Sequence, residues 1–226
     1  MKISVIIPAY NEEKHLPSTI NAIREAGWAS ELIGVNDGSR DRTGRMMEYY
    51  CDTTISFIKN QGKSTAAKAG WLASKGDYIV TLDADLRESA AYGEALIQAL
   101  QHHCADLVIG KVQGNGRNGF GFVKRRVQRM IEQQSGISLE MPLSGQRAFR
   151  REHLPIFQEM KTEGFGLETI MNLHAIQQGF RIEEVNVPFV HKGKGWGWQG
   201  IYHRGKQWLE VERCLKKYGR SYTSLR

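Results

Sequence analysis

The chain has 226 residues, 41% of them hydrophobic, with 31 Lys and Arg against 24 Asp and Glu, for a net charge of +7. That length suits one domain, or one domain with an appended element, and it is long enough to bury a substantial core. The composition is that of a soluble globular protein with no internal repeat or low-complexity tract, and its positive balance favours anionic partners: phosphates, nucleic acid or an anionic membrane surface.

Cys51, Cys104 and Cys214 are odd in number, far apart and not in metal-ligand spacing, so they read as free thiols in a reducing compartment. The run Met1–Pro8 is too short for a signal peptide and nothing later approaches a transmembrane span, so a cytoplasmic location is expected.

In chain order, Ile3–Ile7 is a compact apolar strand closed by Pro8. Glu12–Ala26 carries Leu16, Ile20 and Ile23 at helical spacing. Leu32–Val35 is a second strand ending in Asn36-Asp37-Gly38-Ser39, and Asp41 or Thr43 can cap a helix running to Tyr50. Thr54–Ile58 is a third strand. A polar turn, Asn60–Ser64, then leads into an Ala-rich helix, Thr65–Ser74. Asp77–Leu82 is a β-branched strand that stops at Asp83-Ala84-Asp85. A helix at Glu88–Gln101 and a strand at Asp106–Gly110 follow, then a Gly-rich loop, Gly114–Gly119, and a basic amphipathic helix, Phe122–Gln134. A strand at Leu143–Phe149, a helix at Leu167–Gln178 and a closing strand at Arg181–Val187 complete the core. The tail from His191 is Gly- and Trp-rich, with a helix expected at Gly205–Tyr218. Alternation of strand and helix predicts an α/β fold whose mostly parallel central sheet has helices on both faces.

An Asp-x-Asp pair is by itself a weak signal, because such pairs commonly sit in solvated turns or helix caps. Four strand ends carry polar loops, however: Pro8–Glu13, Asn36–Ser39, Asn60–Lys63 and Asp83–Asp85. A parallel sheet delivers all four to one edge, where ligands of open α/β sheets bind. Acids there can meet a base, a ribose or a metal, while Lys63 and backbone N–H groups near Gly62 can meet phosphate.

These blocks closely resemble family 2 glycosyltransferases of the GT-A fold, including dolichol-phosphate mannosyltransferase-like enzymes. The resemblance is carried by Val5–Glu12, Val35–Thr43, Asn60–Lys63, Gly76-Asp77 and Leu82–Asp85. Ser144–Arg150, Glu163–Glu168 and Glu184–Pro188 continue it, so that it covers roughly residues 1 to 190. It implies a GT-A catalytic domain over 1–190, with 191–226 forming a flexible loop and a basic C-terminal helix. By the same resemblance, Pro8, Ala9, Tyr10, Glu12, Asp37 and Ala84 line the donor nucleotide's pocket, while Asp83 and Asp85 hold Mg²⁺ or Mn²⁺ and the diphosphate. Asp85 is the first choice for direct ligation. Asn36 stands where the family often has a second Asp, so contact with the base falls to Asp37.

The activity implied is inverting transfer of a hexosyl group from a UDP- or GDP-sugar. Glu168 is the candidate general base, or else an acid favoured by a helix N-terminus. Lys63 stabilises phosphate or is a solvated turn lysine. Arg147 meets the acceptor or diphosphate, or forms a surface ion pair. His191, just past the last core strand, could complete the metal sphere, with His203 a weaker choice; a lone histidine is otherwise structural. Lys192–Trp198 reads as a lid over the diphosphate, with Lys192 or Lys194 closing on it, or as a tail.

The acceptor is a polyprenyl phosphate, which needs no base, or a soluble or glycan hydroxyl. Arg125, Arg126 and Arg129 bind an anionic acceptor or lipid, or form a solvated face. With Trp196, Trp198 and Trp208 and the basic tail, they also suit peripheral contact with the inner face of a membrane. Two rival classes are a nucleotide-sugar-binding protein that has lost catalysis and a nucleic-acid binder. The second rests on charge alone, with no recognition motif, and is not expected.

Overall fold

The protein is described by a computed structural model covering residues 1–112, 121–160 and 166–190. Among these residues are strands β1 (Ile3–Ala9), β2 (Glu31–Asn36), β3 (Thr53–Ser56), β4 (Tyr78–Thr81), β5 (Leu107–Val112), β6 (Arg147–Arg150) and β7 (Ile182–Val187). The helices are α1 (Leu16–Ala26), α2 (Thr43–Tyr50), α3 (Lys63–Ala73), α4 (Glu94–His102), α5 (Gly121–Ser135), α6 (Leu154–Gln158) and α7 (Leu167–Gln177).

The strands form one sheet in the order β3-β2-β1-β4-β6-β5-β7. Every neighbouring pair is parallel except those of β6, which runs antiparallel to both β4 and β5. The mostly parallel sheet expected from strand–helix alternation is therefore present, with one reversed strand that the alternation did not reveal. Thr81 of β4 lies opposite Arg147 of β6, so the segment leading into β6 starts where β4 ends.

Side chains of a strand alternate between faces, and the core divides accordingly. Val5, Ile7, Leu32 and Val80 pack with Leu16, Ile20 and Ile23 of α1 and with Leu96 and Leu100 of α4. Ile6, Ile33, Val35 and Ile79 pack on the other face with Trp71 of α3, Phe157 of α6, and Ile170 and Met171 of α7. Trp71 and Phe149 meet edge to face with centroids 5.4 Å apart, and the buried Trp71 indole donates to Thr81 Oγ1 at 2.8 Å. α5 is amphipathic as expected: Val123, Val127 and Ile131 pack on Ile109 and Leu173, while Arg125, Arg126 and Arg129 are exposed.

Several boundaries differ from the sequence expectation for physical reasons. β1 runs through Pro8 to Ala9. Ile6 O accepts from Leu82 N and Ala9 O from Asp37 N, so alternate residues bond on opposite sides. Pro8 therefore turns its donorless nitrogen towards β4, where pairing has already ended at Ile6–Thr81. α1 starts four residues late because the Glu12 carbonyl closes a turn with the amides of His15 and Leu16. The single helix expected over 88–101 is a 3-10 segment, Arg87–Gly93, followed by α4. At their junction Gly93 lies against the Trp28 ring, which would be 2.5 Å from an added Cβ. β6 begins four residues later than expected because Ser144 Oγ bonds the Gly110 carbonyl in place of a strand ladder. α6 was not foreseen. The loop 114–119, the histidines His191 and His203, the Trp-rich stretch, the C-terminal helix and Cys214 lie outside the described residues; within them Cys51 and Cys104 are free.

α2 has Arg42 at its N-cap with no side-chain capping bond; just before it, Asp41 Oδ1 accepts from Thr43 N at 3.0 Å and Thr43 Oγ1 at 2.6 Å, while Oδ2 accepts from Glu13 N at 3.3 Å. Burial alone would raise the Asp41 pKa, but these hydrogen bonds outweigh it and hold the carboxyl below its ordinary value. A depressed folded-state pKa stabilises above the unfolded carboxylate value of about 3.9, and the stabilisation is lost as pH falls through the folded value. Asp41→Ala, which removes these hydrogen bonds, is therefore expected to cost about 1 kcal/mol at pH 7. In urea titrations across pH, the gap from the unsubstituted protein should narrow as pH falls below the unfolded carboxylate value and close once it passes the depressed folded value.

Candidate functional site

The four polar loops do meet at the carboxyl edge of the sheet, because β1, β2, β3 and β4 run parallel with aligned registers. Side chains stitch the loops together. Asn11, at φ +56°, donates its amide to Ser39 Oγ and accepts from Arg40 N through Oδ1. Glu12 N donates to Thr43 Oγ1 at 2.8 Å, and the Glu12 carboxylate pairs with His15 Nδ1 at 3.0 Å. Pro8 and Ala9 are buried within β1, and Tyr10 is the first exposed residue after it.

Asp37 clamps the third loop to the second. Its Oδ1 accepts from Gln61 N at 2.7 Å, and its Oδ2 accepts from Asn60 Nδ2 at 2.8 Å and Gly62 N at 2.9 Å. Burial raises its pKa against the opposing pull of the two backbone hydrogen bonds. The carboxylate expected to meet a base thus holds the backbone of Asn60–Gly62. Gly62 has φ +94°, a conformation that favours glycine, and it directs the chain into α3 at Lys63.

Lys63 is the centre of the site. Its Nζ lies 2.6 Å from Asp83 Oδ1 and 3.3 Å from Glu168 Oε1, joining the starts of α3 and α7 to the end of β4. Burial would lower its pKa, but the two carboxylates outweigh burial and raise it, so the ammonium stays charged. Desolvating three charges is costly unless they are paired and hydrogen-bonded, and here they are. Asp83 Oδ2 accepts from Gln146 Nε2 at 2.6 Å, and Gln146 Oε1 accepts from Asp83 N at 2.9 Å. An added Cβ at Gly145 would press on Lys63 Nζ and lie 3.0 and 3.1 Å from the Asp83 oxygens. The sequence marks Gly145 and Gln146 only as parts of a family-like block; their contacts depend on the reversed β6.

Thr19 of α1 fixes the turn after β4. Its Oγ1 donates to the Ala84 carbonyl at 2.8 Å and accepts from Arg87 N at 2.8 Å. Ala84 is packed into the core, so of the three residues Asp83 and Asp85 are the ones half-exposed at the edge. No set of three or more His, Cys, Asp or Glu with metal-site geometry occurs among the described residues. Two hard carboxylates nevertheless fit Mg²⁺ or Mn²⁺, since Mg²⁺ is usually held by one or two carboxylates with phosphate and water oxygens. His191, the third expected ligand, lies outside the described residues.

Arg147 is buried and faces the loop that precedes it. Its guanidinium donates to Ser144 O at 2.8 Å, Pro142 O at 2.8 Å and Asn172 Oδ1 at 2.6 Å. Burial lowers its pKa to about 10, against the opposing pull of Glu168 and Glu184. Glu184 of β7 holds the same loop through Glu140 N and Met141 N, each at 2.6 Å. The surface ion pair considered for Arg147 is excluded by its 3% exposure.

The doubly covered, mostly parallel sheet with acids at the end of β4 defines a GT-A fold. The chain belongs to glycosyl transferase family 2, whose model matches residues 4–157. It is 31% identical over 162 residues to undecaprenyl-phosphate 4-deoxy-4-formamido-L-arabinose transferase of Pseudomonas paraeruginosa, covering 66% of this chain and 47% of that one. It is 29% identical over 224 residues to dolichol-phosphate mannosyltransferase of Pyrococcus furiosus, covering 93% and 60%. The chain thus spans about half to three fifths of the length of these curated relatives. Among solved structures, glucosyl-3-phosphoglycerate synthase from Mycobacterium tuberculosis matches with TM-score 0.79 and 25% identity over 96% of this chain and 81% of that one. The same enzyme in complex with Mg²⁺ and UDP matches with TM-score 0.80 at 24% identity, over 96% of this chain and 79% of that one, which bears on fold alone. No helix among the described residues is long and apolar enough to cross a membrane.

Arg147→Lys keeps the charge but cannot reach three divergent acceptors with a single ammonium. Pro142 O keeps the Asn172 Nδ2 donor at 2.9 Å, but leaving the buried Asn172 Oδ1 without its Arg147 donor should cost about 2 kcal/mol, read as a lowered urea midpoint with unchanged slope.

Proposed function

We propose that the protein transfers a sugar, with inversion, from a nucleoside-diphosphate donor to a polyprenyl phosphate, using Mg²⁺ or Mn²⁺. The observation that carries this reading is the meeting of Asp83, Asp85 and Lys63 with the first three strand loops on one sheet edge. The donor's base and ribose lie along Pro8–Glu12 and the Asn36–Ser39 turn, an arrangement open to UDP- and GDP-sugars. Asp37 serves that pocket by holding Asn60–Gly62 in place.

Asp83 and Asp85 would hold the metal with the diphosphate oxygens; when bound, it supplies Lewis-acid stabilisation of the departing phosphate. Lys63 adds a positive charge beside the same phosphates. Arg147 acts as a positioning residue, because it fixes the loop that presents Gly145 and Gln146 to Asp83. A phosphate acceptor is already anionic at neutral pH, so no side chain has to remove a proton from it. The relatives named for undecaprenyl and dolichol phosphates support that acceptor class. The exposed Arg125, Arg126 and Arg129 of α5 support work at an anionic lipid surface on the cytoplasmic side of a membrane.

A hydroxyl acceptor is the second reading, and Glu168 favours it: a carboxylate beside Lys63 and Asp83 could take the hydroxyl proton. Glu168→Gln separates the two. A fall in turnover of roughly 100-fold or more, together with loss of the acid limb of the pH–rate profile, would assign proton removal to Glu168, whereas a change under about tenfold supports the phosphate acceptor.

Asp85→Asn should keep the thermal midpoint while abolishing Mn²⁺-dependent retention of UDP or GDP and transfer from the matching sugar nucleotide. Unchanged transfer in that variant would overturn the assignment of Asp85 to the metal.

A further inference from the structure

Lys63 already occupies one of the two carboxylates that would hold a metal. Its Nζ sits 2.6 Å from Asp83 Oδ1, and Asp83 Oδ2 is taken by Gln146 Nε2 at 2.6 Å, so each oxygen of Asp83 has a protein donor. Lys63 cannot easily withdraw on its own. Gly145 closes one side, since any added Cβ there would press on the ammonium, and Gly62 is tied to Asp37 at 2.9 Å just before the lysine. On its other side the ammonium retains Glu168, 3.3 Å away, as a second anchor. Asp83, Lys63 and Glu168 together carry one net negative charge. A bare dication approaching Asp83 therefore meets a charged lysine and a largely compensated carboxylate.

We infer that Lys63 is a resident counter-ion that shields Asp83 from bare divalent cations and releases it only when a nucleoside diphosphate arrives to accept the ammonium. The inference rests on the reading of the site as a nucleotide-sugar site and adds an order of assembly to it. The negative phosphates offer Lys63 a replacement partner within the same cleft. Asp83 is then open to the metal, while Glu168 keeps the lysine from leaving. Metal and nucleotide consequently bind with positive coupling beyond what a shared phosphate ligand provides, and by reciprocity each raises the other's affinity by the same factor. Free Mg²⁺ or Mn²⁺ is thus denied Asp83, and the two-carboxylate site assembles on the metal–nucleotide pair.

The test is direct Mn²⁺ binding, followed by the electron paramagnetic resonance signal of the free ion, with and without UDP or GDP. Three proteins are compared: unsubstituted, Lys63→Met, and Lys63→Met/Glu168→Gln. The double variant preserves the net charge of the cluster and relieves the unpaired carboxylate that could prevent Lys63→Met from folding. Expected is Mn²⁺ binding without nucleotide about tenfold or more tighter in both variants, with the metal–nucleotide coupling factor reduced by a similar amount, within the roughly 5- to 150-fold range of such couplings. Bare Mn²⁺ affinity that is unchanged or weaker in the variants would overturn the inference. So would a gain confined to Lys63→Met, because only net charge would then matter. Failure of both UDP and GDP to bind the unsubstituted protein at saturating Mn²⁺ would instead sink the nucleotide-sugar reading itself.

Discussion

The antiparallel pairing of β6 with β4 is the constraint on which the site depends. A parallel sheet brings the ends of β1, β2, β3 and β4 to one edge, but a parallel neighbour beyond β4 would add only another strand end. Because β6 runs the other way, its beginning stands at that edge, with Arg147 opposite Thr81. Gln146 can then grip both the backbone and the carboxylate of Asp83. The reversed strand thus brings the segment entering β6 against the acid turn after β4.

The loop entering β6 is itself held from behind. Arg147 spans Pro142, Ser144 and Asn172, and Glu184 receives the amides of Glu140 and Met141, so β7 and α7 both fix the loop entering β6. α7 also presents Glu168 in its first turn, where a carboxylate suits the helix dipole, and Lys63 joins it to Asp83. One lysine therefore ties together three segments that are distant in sequence. The arginine, which looks from the sequence like a ligand-binding group, is buried with its guanidinium on Ser144 O, Asn172 Oδ1 and Pro142 O.

Much of this was legible in the sequence where the signal was local. The apolar runs of β1, β2 and β4 and the helical spacing of Leu16, Ile20 and Ile23 fixed the alternation, and the polar blocks at strand ends located the site edge. What escaped depended on long-range partners. Pro8 looks like a strand stop until the neighbour on its donorless side is known to end at Thr81. Ser144–Gln146 reads as strand, because nothing local shows that Ser144 bonds Gly110. The direction of β6 leaves no periodic mark, so the partners of Asp83 and Arg147 could not be inferred from spacing. Asp37 was placed correctly at the edge, but its carboxylate is committed to Asn60, Gln61 and Gly62.

That commitment has a consequence for how the cleft meets a guest. Three donors from one short loop converge on a single buried carboxylate, so the loop is ordered when the chain folds and not when a ligand arrives. Ordering a loop on binding subtracts from affinity, and a loop already ordered spares that subtraction. The wall between β2 and α3 is in this sense a preset mould, whose shape selects among guests because it does not adjust to them.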